Sequence, residues 1–465
     1  MTVSRRTVVA GALGGGAAMA IGRAGATAPG AGNDPEGWFR ERLAADRLPG
    51  GAAALVRPGH APLILTAGHA SLPFRAATAP ETLFHIGSVG KHITAAAVLR
   101  LADAGRVDLA AGIGRYLPGL PQGWHAAPVA TVLNHSSGIP DWDRIIWDRP
   151  WTRADVLGWA AGRALDFPPG AAWRYSNAGF TLLGYLIEEV TGRPYADTIN
   201  AMFRDAGLQD ARVDDGEAVI ANRAEPYTLA DGAPRHATPM SSTIASVAAG
   251  GVLMSARDVA AWSAALWGGM LLSPASRALM QAPSRLTGGR PCYYNMGWCI
   301  DRLPGRQPYL WHTGSVSGFR ACHYHDPASG TTMMMALNAD TDAIGAIGFG
   351  LMEQVLPGST PESLPVMADR MPERTAVLRD LLLRRLPADP ALFAAGMRVL
   401  AERMGDEVID DYSQDQPPLS ALDPVQESRA GGELRRRYRL TVAGRHDYIT
   451  VGYTSDGLIH EVSSI

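Results

Sequence analysis

Ser88 and Lys91 stand three residues apart in "FHIGSVGKHITAAAVLRLADAG", Phe84 to Gly105. On a helix, positions i and i+3 share a face, so a hydroxyl and an amine would meet there. Nearly everything else from Val89 to Ala102 is apolar, which predicts a helix buried on most sides. A serine at the start of such a helix sits among backbone N–H groups without partners, at the positive end of the dipole. Both features would stabilise an oxyanion forming beside it. Burial and the dipole also disfavour an ammonium there, so the lysine should release its proton easily. A neutral lysine can take the serine proton, whereas a guanidinium stays charged and cannot. Composition sharpens the point. Of the 42 Lys and Arg residues, Lys91 is the one lysine and the other 41 are arginine. The bland alternative is a lysine that snorkels to the surface with no role.

Two further stretches could join this pair. In "WRYSNAG", Tyr175 lies just before an apolar helical pattern, where its hydroxyl could relay protons with Lys91. Asn177 could cap that helix, bind substrate, or do both. In "HTGSVSG", His312 to Gly318, Gly314 would let another backbone approach closely. An edge strand there could hold an extended substrate by main-chain hydrogen bonds. Taken alone, His312 reads as a satisfied edge-strand histidine.

In this order, Ser88-Val89-Gly90-Lys91, Tyr175-Ser176-Asn177 and His312-Thr313-Gly314 resemble the motifs of the serine penicillin-recognising family. That family includes class C β-lactamases, DD-peptidases and related esterases. "LNHSSGIPD", Leu133 to Asp141, is similar to the family's stretch between the first two motifs, and the likeness runs from about Gly50 to Leu356. The resemblance implies roles. Ser88 would be the acylated nucleophile and Lys91 its general base, with Tyr175 sharing proton transfer. Asn177 would hydrogen-bond the substrate amide and Lys91. His312, Thr313, Gly314 and Ser315 would line the substrate, and the backbone N–H groups of Ser88 and Ser315 would form the oxyanion hole. Two departures stand out. Most β-lactamases of the family carry lysine where this chain has His312, and an ordinary histidine is charged only near or below about pH 6.5. The minimal β-lactamases also lack the C-terminal residues found here.

The elements that must position these residues follow from periodicity. A short amphipathic helix is expected at "EGWFRERLAAD", then strands at "GAAALV", "PLILTAG" and "TLFHIG". Helical patterns dominate to about residue 285, among them "FTLLGYLIEEVTG" and "SARDVAAWSAALWGG". Strands return at "PYLWHTG", "GFRACHYH" and "TTMMMALNA", the last two joined by the turn "DPASG", and the helix "DAIGAIGFGLMEQVL" follows. Strands at both ends with helices between them imply an α/β class fold, an α+β sandwich whose antiparallel sheet draws on both ends of the domain and carries a helical subdomain. The expected division is a signal segment at 1–26, a serine hydrolase domain of β-lactamase/transpeptidase type at 27–356, a proline-rich linker at 357–372 and a small α+β module at 373–465. That module's helices-then-strands order resembles cystatin-like or NTF2-like appendages.

Arg5 and Arg6 precede a weakly apolar run from Thr7 to Gly22 that five glycines dilute, and Ala24-Gly25-Ala26 follows. This looks like a twin-arginine export signal, so the protein is expected in the periplasm or secreted. Cleavage after Ala26 would remove three arginines and no acid, taking the net charge from −3 to −6. No basic excess points to nucleic acid, and Arg435, Arg436 and Arg437 read as the solvated face of a strand. Cys292, Cys299 and Cys322 allow at most one disulfide, and none is expected to be essential. "CHYHD", Cys322 to Asp326, reads as alternating strand residues, with no second cluster at zinc-type spacing. Trp142, Trp147 and Trp151 could line an acyl pocket or anchor a loop.

The function expected is hydrolysis through an acyl-enzyme on Ser88, without metal or organic cofactor. The substrate would be a small-molecule, peptide or ester acyl donor, with peptidoglycan D-Ala-D-Ala ends and simple esters as named cases. A β-lactamase, an acyltransferase or transpeptidase, and a slowly acylating penicillin sensor are the alternatives.

Overall fold

The computed structural model describes residues 34–142, 151–216, 218–230, 232–237, 244–409, 412, 419–430, 432–442 and 444–464. The expected signal segment and Trp147 lie outside them. The chain forms two compact units. One comprises Leu48–Thr228 and His236–Asp340; the other gathers the described residues up to Arg47, Leu229–Arg235 and those from Thr341 onward.

The first unit is built on strands β1 (Gly50–Val56), β2 (Leu63–Ser71), β3 (Ala76–Ala77), β4 (Tyr294–Asn295), β5 (Trp298–Asp301), β6 (Tyr309–Val316), β7 (Phe319–Asp326) and β8 (Thr331–Leu337). They form one sheet in the order β4-β5-β6-β7-β8-β1-β2-β3. Here β1 pairs antiparallel with both β8 and β2, so strands far apart in sequence close one sheet. Small residues make β1 a tight central strand: Ala52, Ala53 and Ala54 are almost wholly buried.

Helix α2 (Lys91–Asp103) is buried along its first nine residues. Ile93, Val98 and Leu99 are fully enclosed, and each such side chain contributes about 1.5–3 kcal/mol by leaving water. That burial offsets the cost of enclosing Lys91 in the same helix. The polar side chains among them are satisfied. The Thr94 hydroxyl donates to the Ala248 carbonyl at 2.6 Å. The Trp262 indole donates to His92 Nε2 at 2.8 Å, so Nδ1 carries the ring proton and donates to the Val89 carbonyl at 2.5 Å.

Helix α3 (Asn177–Thr191) starts where expected, but its cap is Ser176, whose hydroxyl accepts from the Gly179 N–H at 3.0 Å. Asn177 is the first helical residue, which leaves its amide free for other partners. Trp142 packs on Trp151 and Trp159 at ring separations of 5.8 and 4.5 Å, and all three lie against the main core. Trp142 and Trp151 therefore pack into the body of the first unit.

The second unit holds α1 (Pro35–Ala45), which packs on α6 (Ile344–Val355), together with α7 (Pro372–Leu382) and α8 (Ala395–Met404). Helices α4 (Ile244–Gly250) and α5 (Ala256–Trp267) lie in the first unit, where α5 packs on β1. Strands β9 (Leu419–Ala430), β10 (Glu433–Val442), β11 (Arg445–Tyr453) and β12 (Ile459–Ser464) form an antiparallel meander in chain order. Helix α6 packs on α1 and β11 within the second unit. The proline-rich segment after it is stitched down, with Met367 N–H donating to the Pro424 carbonyl and Asp369 pairing with Arg436, both at 2.8 Å.

The arginine run also departs from expectation, because successive strand residues face opposite sides. Arg436 is 1% exposed and donates to Tyr438 at 3.0 Å as well as to Asp369. Arg437, 2% exposed, donates to Gln426 at 2.7 Å. Arg435 pairs with Glu461 at 3.1 Å.

Candidate active site

A tight 3-10 turn, Gly87–Gly90, feeds directly into α2, so Ser88 lies one turn ahead of Lys91. The turn is pressed against β6. Gly87 has φ +52°, and a Cβ there would lie 2.7 Å from the Ser315 nitrogen. A Cβ on Gly314 would lie 1.9 Å from the Ile86 carbonyl oxygen and 3.1 Å from the Ser88 nitrogen. Two glycines thus bring the backbone nitrogens of Ser88 and Ser315 to the same spot.

β6 is not an outer strand, as its sequence suggested, since β5 and β7 flank it. Pairing with β5 nevertheless ends at the Trp311–Cys299 rung, while pairing with β7 continues through Ser315 to Val316. From His312 to Val316 one backbone edge of β6 is therefore without a partner strand among the described residues. Thr313 and Ser315 are half-buried along that reach.

Lys91 is fully enclosed and its Nζ has three near neighbours. They are Ser88 Oγ at 3.1 Å, Asn177 Oδ1 at 2.8 Å and the Ala249 carbonyl oxygen, on α4, at 2.7 Å. Burial lowers the Lys91 pKa to about 7, although the Asp141 carboxylate nearby favours the charged form. The amine lies 4.7 Å from the centre of the Tyr175 ring and 5.5 Å from that of Phe180. Tyr175 is itself buried, and its hydroxyl lies near Ser88 with no well-formed hydrogen bond among the described residues. Burial pushes that phenol well above its ordinary pKa of 10.0, with nearby Ser88 opposing the shift.

His312 is a satisfied strand histidine, as its motif taken alone suggested. Its side chain is enclosed beside Tyr294, whose hydroxyl lies 3.0 Å from Nε2, and its Nδ1 is 2.5 Å from the Thr313 carbonyl. A carbonyl only accepts, so Nδ1 carries the proton and Tyr294 donates to Nε2. Burial and the proximity of Lys91 push the His312 pKa down to about 3. The expectation of a histidine that charges near pH 6.5 is corrected: this ring is neutral, with both nitrogens engaged.

The structure thus gathers Ser88, Lys91, Tyr175 and Asn177 around one amine, and sets the backbone of Gly314 and Ser315 against the serine. It adds groups that sequence reasoning did not single out. Asp141 accepts from Asn177 Nδ2 at 3.1 Å and from the Ala178 N–H at 3.0 Å. Its place in "LNHSSGIPD" was the available signal. His135, from the same stretch, lies against Tyr175 and Tyr294 in tilted contacts, with ring centres 4.3 and 4.5 Å apart. The Ala249 carbonyl carries no side-chain signal at all. Cys292, Cys299 and Cys322 are free thiols, and among the described residues no three His, Cys, Asp or Glu side chains group as a metal site.

Comparison with known proteins gives a consistent result. A family model described as Beta-lactamase matches residues 36–354. Penicillin-binding protein 4* of Bacillus subtilis (strain 168) is 27% identical over 259 residues, which cover 51% of this chain and 56% of that protein. The chain therefore matches little more than half the length of that relative. Esterase EstB of Burkholderia gladioli is 33% identical over 203 residues, covering 37% of this chain and 50% of its own length. Among solved structures, the D-amino acid amidase from Ochrobactrum anthropi SV3, complexed with L-phenylalanine amide, has a TM-score of 0.61 at 24% identity. That likeness covers 70% of this chain and 98% of the amidase, and it shows a shared fold.

Proposed function

The chain belongs to the beta-lactamase family, and from that premise we propose that it is a serine hydrolase that forms an acyl-enzyme on Ser88, with Lys91 as the base. One observation carries the reading. A neutral amine has two N–H bonds and one lone pair. With Asn177 Oδ1 and the Ala249 carbonyl taking the two N–H bonds, the lone pair is left for the third neighbour, Ser88 Oγ. The serine proton passes to Nζ as Oγ attacks the acyl carbon. The developing oxyanion is received by the Ser88 and Ser315 N–H groups. The proton leaves again with the alcohol or amine, through Lys91 and the Tyr175 hydroxyl. Tyr175 stays a phenol in this scheme, so it relays protons and does not start as a phenolate. Water then attacks the ester, and the same groups run in reverse.

The base must be neutral to act, so kcat/KM rises with pH through about 7, the pH at which Lys91 loses its proton. A pH profile with a non-ionising ester checks this. A profile flat from pH 5.5 to 8.5, about 1.5 either side of that value, would rule out Lys91 as the titrating base.

For substrate class, we propose neutral acyl donors, esters or amides without a terminal carboxylate. His312 supports this because a buried, uncharged ring offers no ion pair to a substrate carboxylate. A relative named as an esterase, and the fold of an amidase complexed with an amino-acid amide, fit acyl chemistry of this kind. A turnover screen tests it. Nitrophenyl esters and amino-acid amides should be turned over with kcat/KM at least about tenfold above D-Ala-D-Ala peptides and a chromogenic cephalosporin, the discrimination expected when one charged pairing is lost. The reverse order would favour a DD-carboxypeptidase. We also propose export through the segment at 1–26, which would place this chemistry outside the cytoplasm.

A further inference from the structure

We propose that Asp141 is a positioning residue for the Ser88–Lys91 pair: its carboxylate fixes which way the Asn177 amide faces and sets a negative charge behind the lysine amine. The proposal rests on the reading of Lys91 as the base.

An asparagine amide is two-faced, with an acceptor oxygen and a donor nitrogen that can exchange places by a flip. Only one orientation serves Lys91. With Oδ1 toward Nζ, the amide accepts a lysine N–H at 2.8 Å and steers the lone pair elsewhere. With Nδ2 there, donor would face donor in the ammonium form, and in the neutral form the amide would occupy the lone pair that Ser88 needs. Asp141 decides between the two, because an ionised carboxylate only accepts. Its Oδ2 takes the Asn177 Nδ2 hydrogen at 3.1 Å, so a flipped amide would set oxygen against oxygen. The carboxylate is itself held from outside the pair. Oδ1 accepts the Ala178 N–H at 3.0 Å, at the N-terminal turn of α3, and the Trp142 N–H also donates to it. Asp141 is 8% exposed, so its charge is little screened by water; the same burial raises its own pKa, and the Ala178 and Trp142 N–H groups, Lys91 and Asn177 favour the ionised form against it.

The charge has a second effect. The groups packed around Lys91 are Ser88 and His92 from the turn and α2, His135, Tyr175, Asn177 and Phe180 from the loop and α3, the Ala249 carbonyl from α4, and His312 from β6. Burial holds His92, His135 and His312 below their ordinary pKa and Tyr175 above its own, so all four are uncharged near neutral pH. Asp141 is the charge that acts on Lys91, and it opposes the effect of burial. Without it the amine would shed its proton at a lower pH.

The test is the pH profile of two variants, with folding checked by thermal melting. Asp141→Asn should lower maximal kcat/KM by about tenfold or more through loss of the amide's orientation. It should also move the acid limb to lower pH than in the wild type. Asp141→Glu keeps the charge and should keep the limb near its wild-type position while losing activity. In an Asn177→Ala background, Asp141→Asn should cost little further activity yet still shift the limb. An Asp141→Asn limb that stays in place, or an Asp141→Glu limb that moves down as far as that of Asp141→Asn, would overturn the proposal. If Asp141→Asn does not fold, the Asp141→Glu limb decides alone. A wild-type enzyme with no limb near pH 7 would instead defeat the base assignment, which separates the two failures.

Discussion

Lys91→Arg removes hydrolysis by about a thousandfold or more, within the 10²–10⁴ typical of a positioned general base and its partners. The substitution keeps the charge and most of the stem. What it removes is the ability to be neutral. Lysine in this setting titrates at about 7, because burial has stripped the ammonium of water. A guanidinium stays protonated at any accessible pH, so it has no lone pair to offer Ser88 Oγ. The site cannot compensate. His92 and His312 have their ring nitrogens committed to Val89 and Trp262 and to Thr313 and Tyr294, and His135, held neutral by burial, accepts the Ser176 N–H at Nδ1. Lys91 is 0% exposed, so a permanently charged, wider head could also strain the fold. Lys91→Met therefore belongs beside it, filling the same space without charge. Both variants should melt cooperatively and both should fail to acylate with a fluorophosphonate probe. Arginine that retains more than about a tenth of wild-type kcat/KM would refute the base role.

The second large effect is expected at Gly314→Ala. A single methyl group would have to occupy space 1.9 Å from the Ile86 carbonyl oxygen and 3.1 Å from the Ser88 nitrogen. Both are backbone atoms, so no rotamer change relieves the clash. Either β6 or the Gly87–Gly90 turn must move, and the nitrogens of Ser88 and Ser315 separate. Losing one donor of an oxyanion hole lowers kcat by about 10²–10³, and this change disturbs the geometry of both. KM should change far less, because the oxyanion exists only in the transition state. Overpacking should also cost about 1–3 kcal/mol of stability, visible as a lowered melting temperature. A variant with kcat within about twofold of wild type would show that the two nitrogens do not act together.

Much of the chemistry could be read from residue types because it depends on what those residues alone can do. A lone lysine in an apolar helix, three residues after a serine, is an unusual placement in any fold. The helices at 177–191 and 256–267 and the strands around "DPASG" were legible for the same reason: their periodicity and punctuation are local. What was misread or left open was decided by tertiary contact. Asn177 was open between a cap and a partner of Lys91; Ser176 is the cap, and Asn177 bonds Lys91 and Asp141. His312, read alone as a satisfied histidine, is one, but no local pattern reveals that Tyr294 and the Thr313 carbonyl are its partners. The arginines of β10 looked solvated, yet their partners Asp369, Gln426 and Glu461 come from other segments. The Ala249 carbonyl is beyond any reading of side chains.

The burial of the single lysine also gives the chain an unusual susceptibility map. An endoprotease that cuts only after lysine has one bond to attack, Lys91–His92, inside α2 and wholly enclosed. Cleavage there needs α2 to open locally, since a protease must take several residues in extended form. The appearance of two fragments therefore times the opening of the helix that carries the nucleophile. An inhibitor that stays bonded to Ser88 and holds α2 closed would slow that cut, and its residence could be followed on a gel without any substrate.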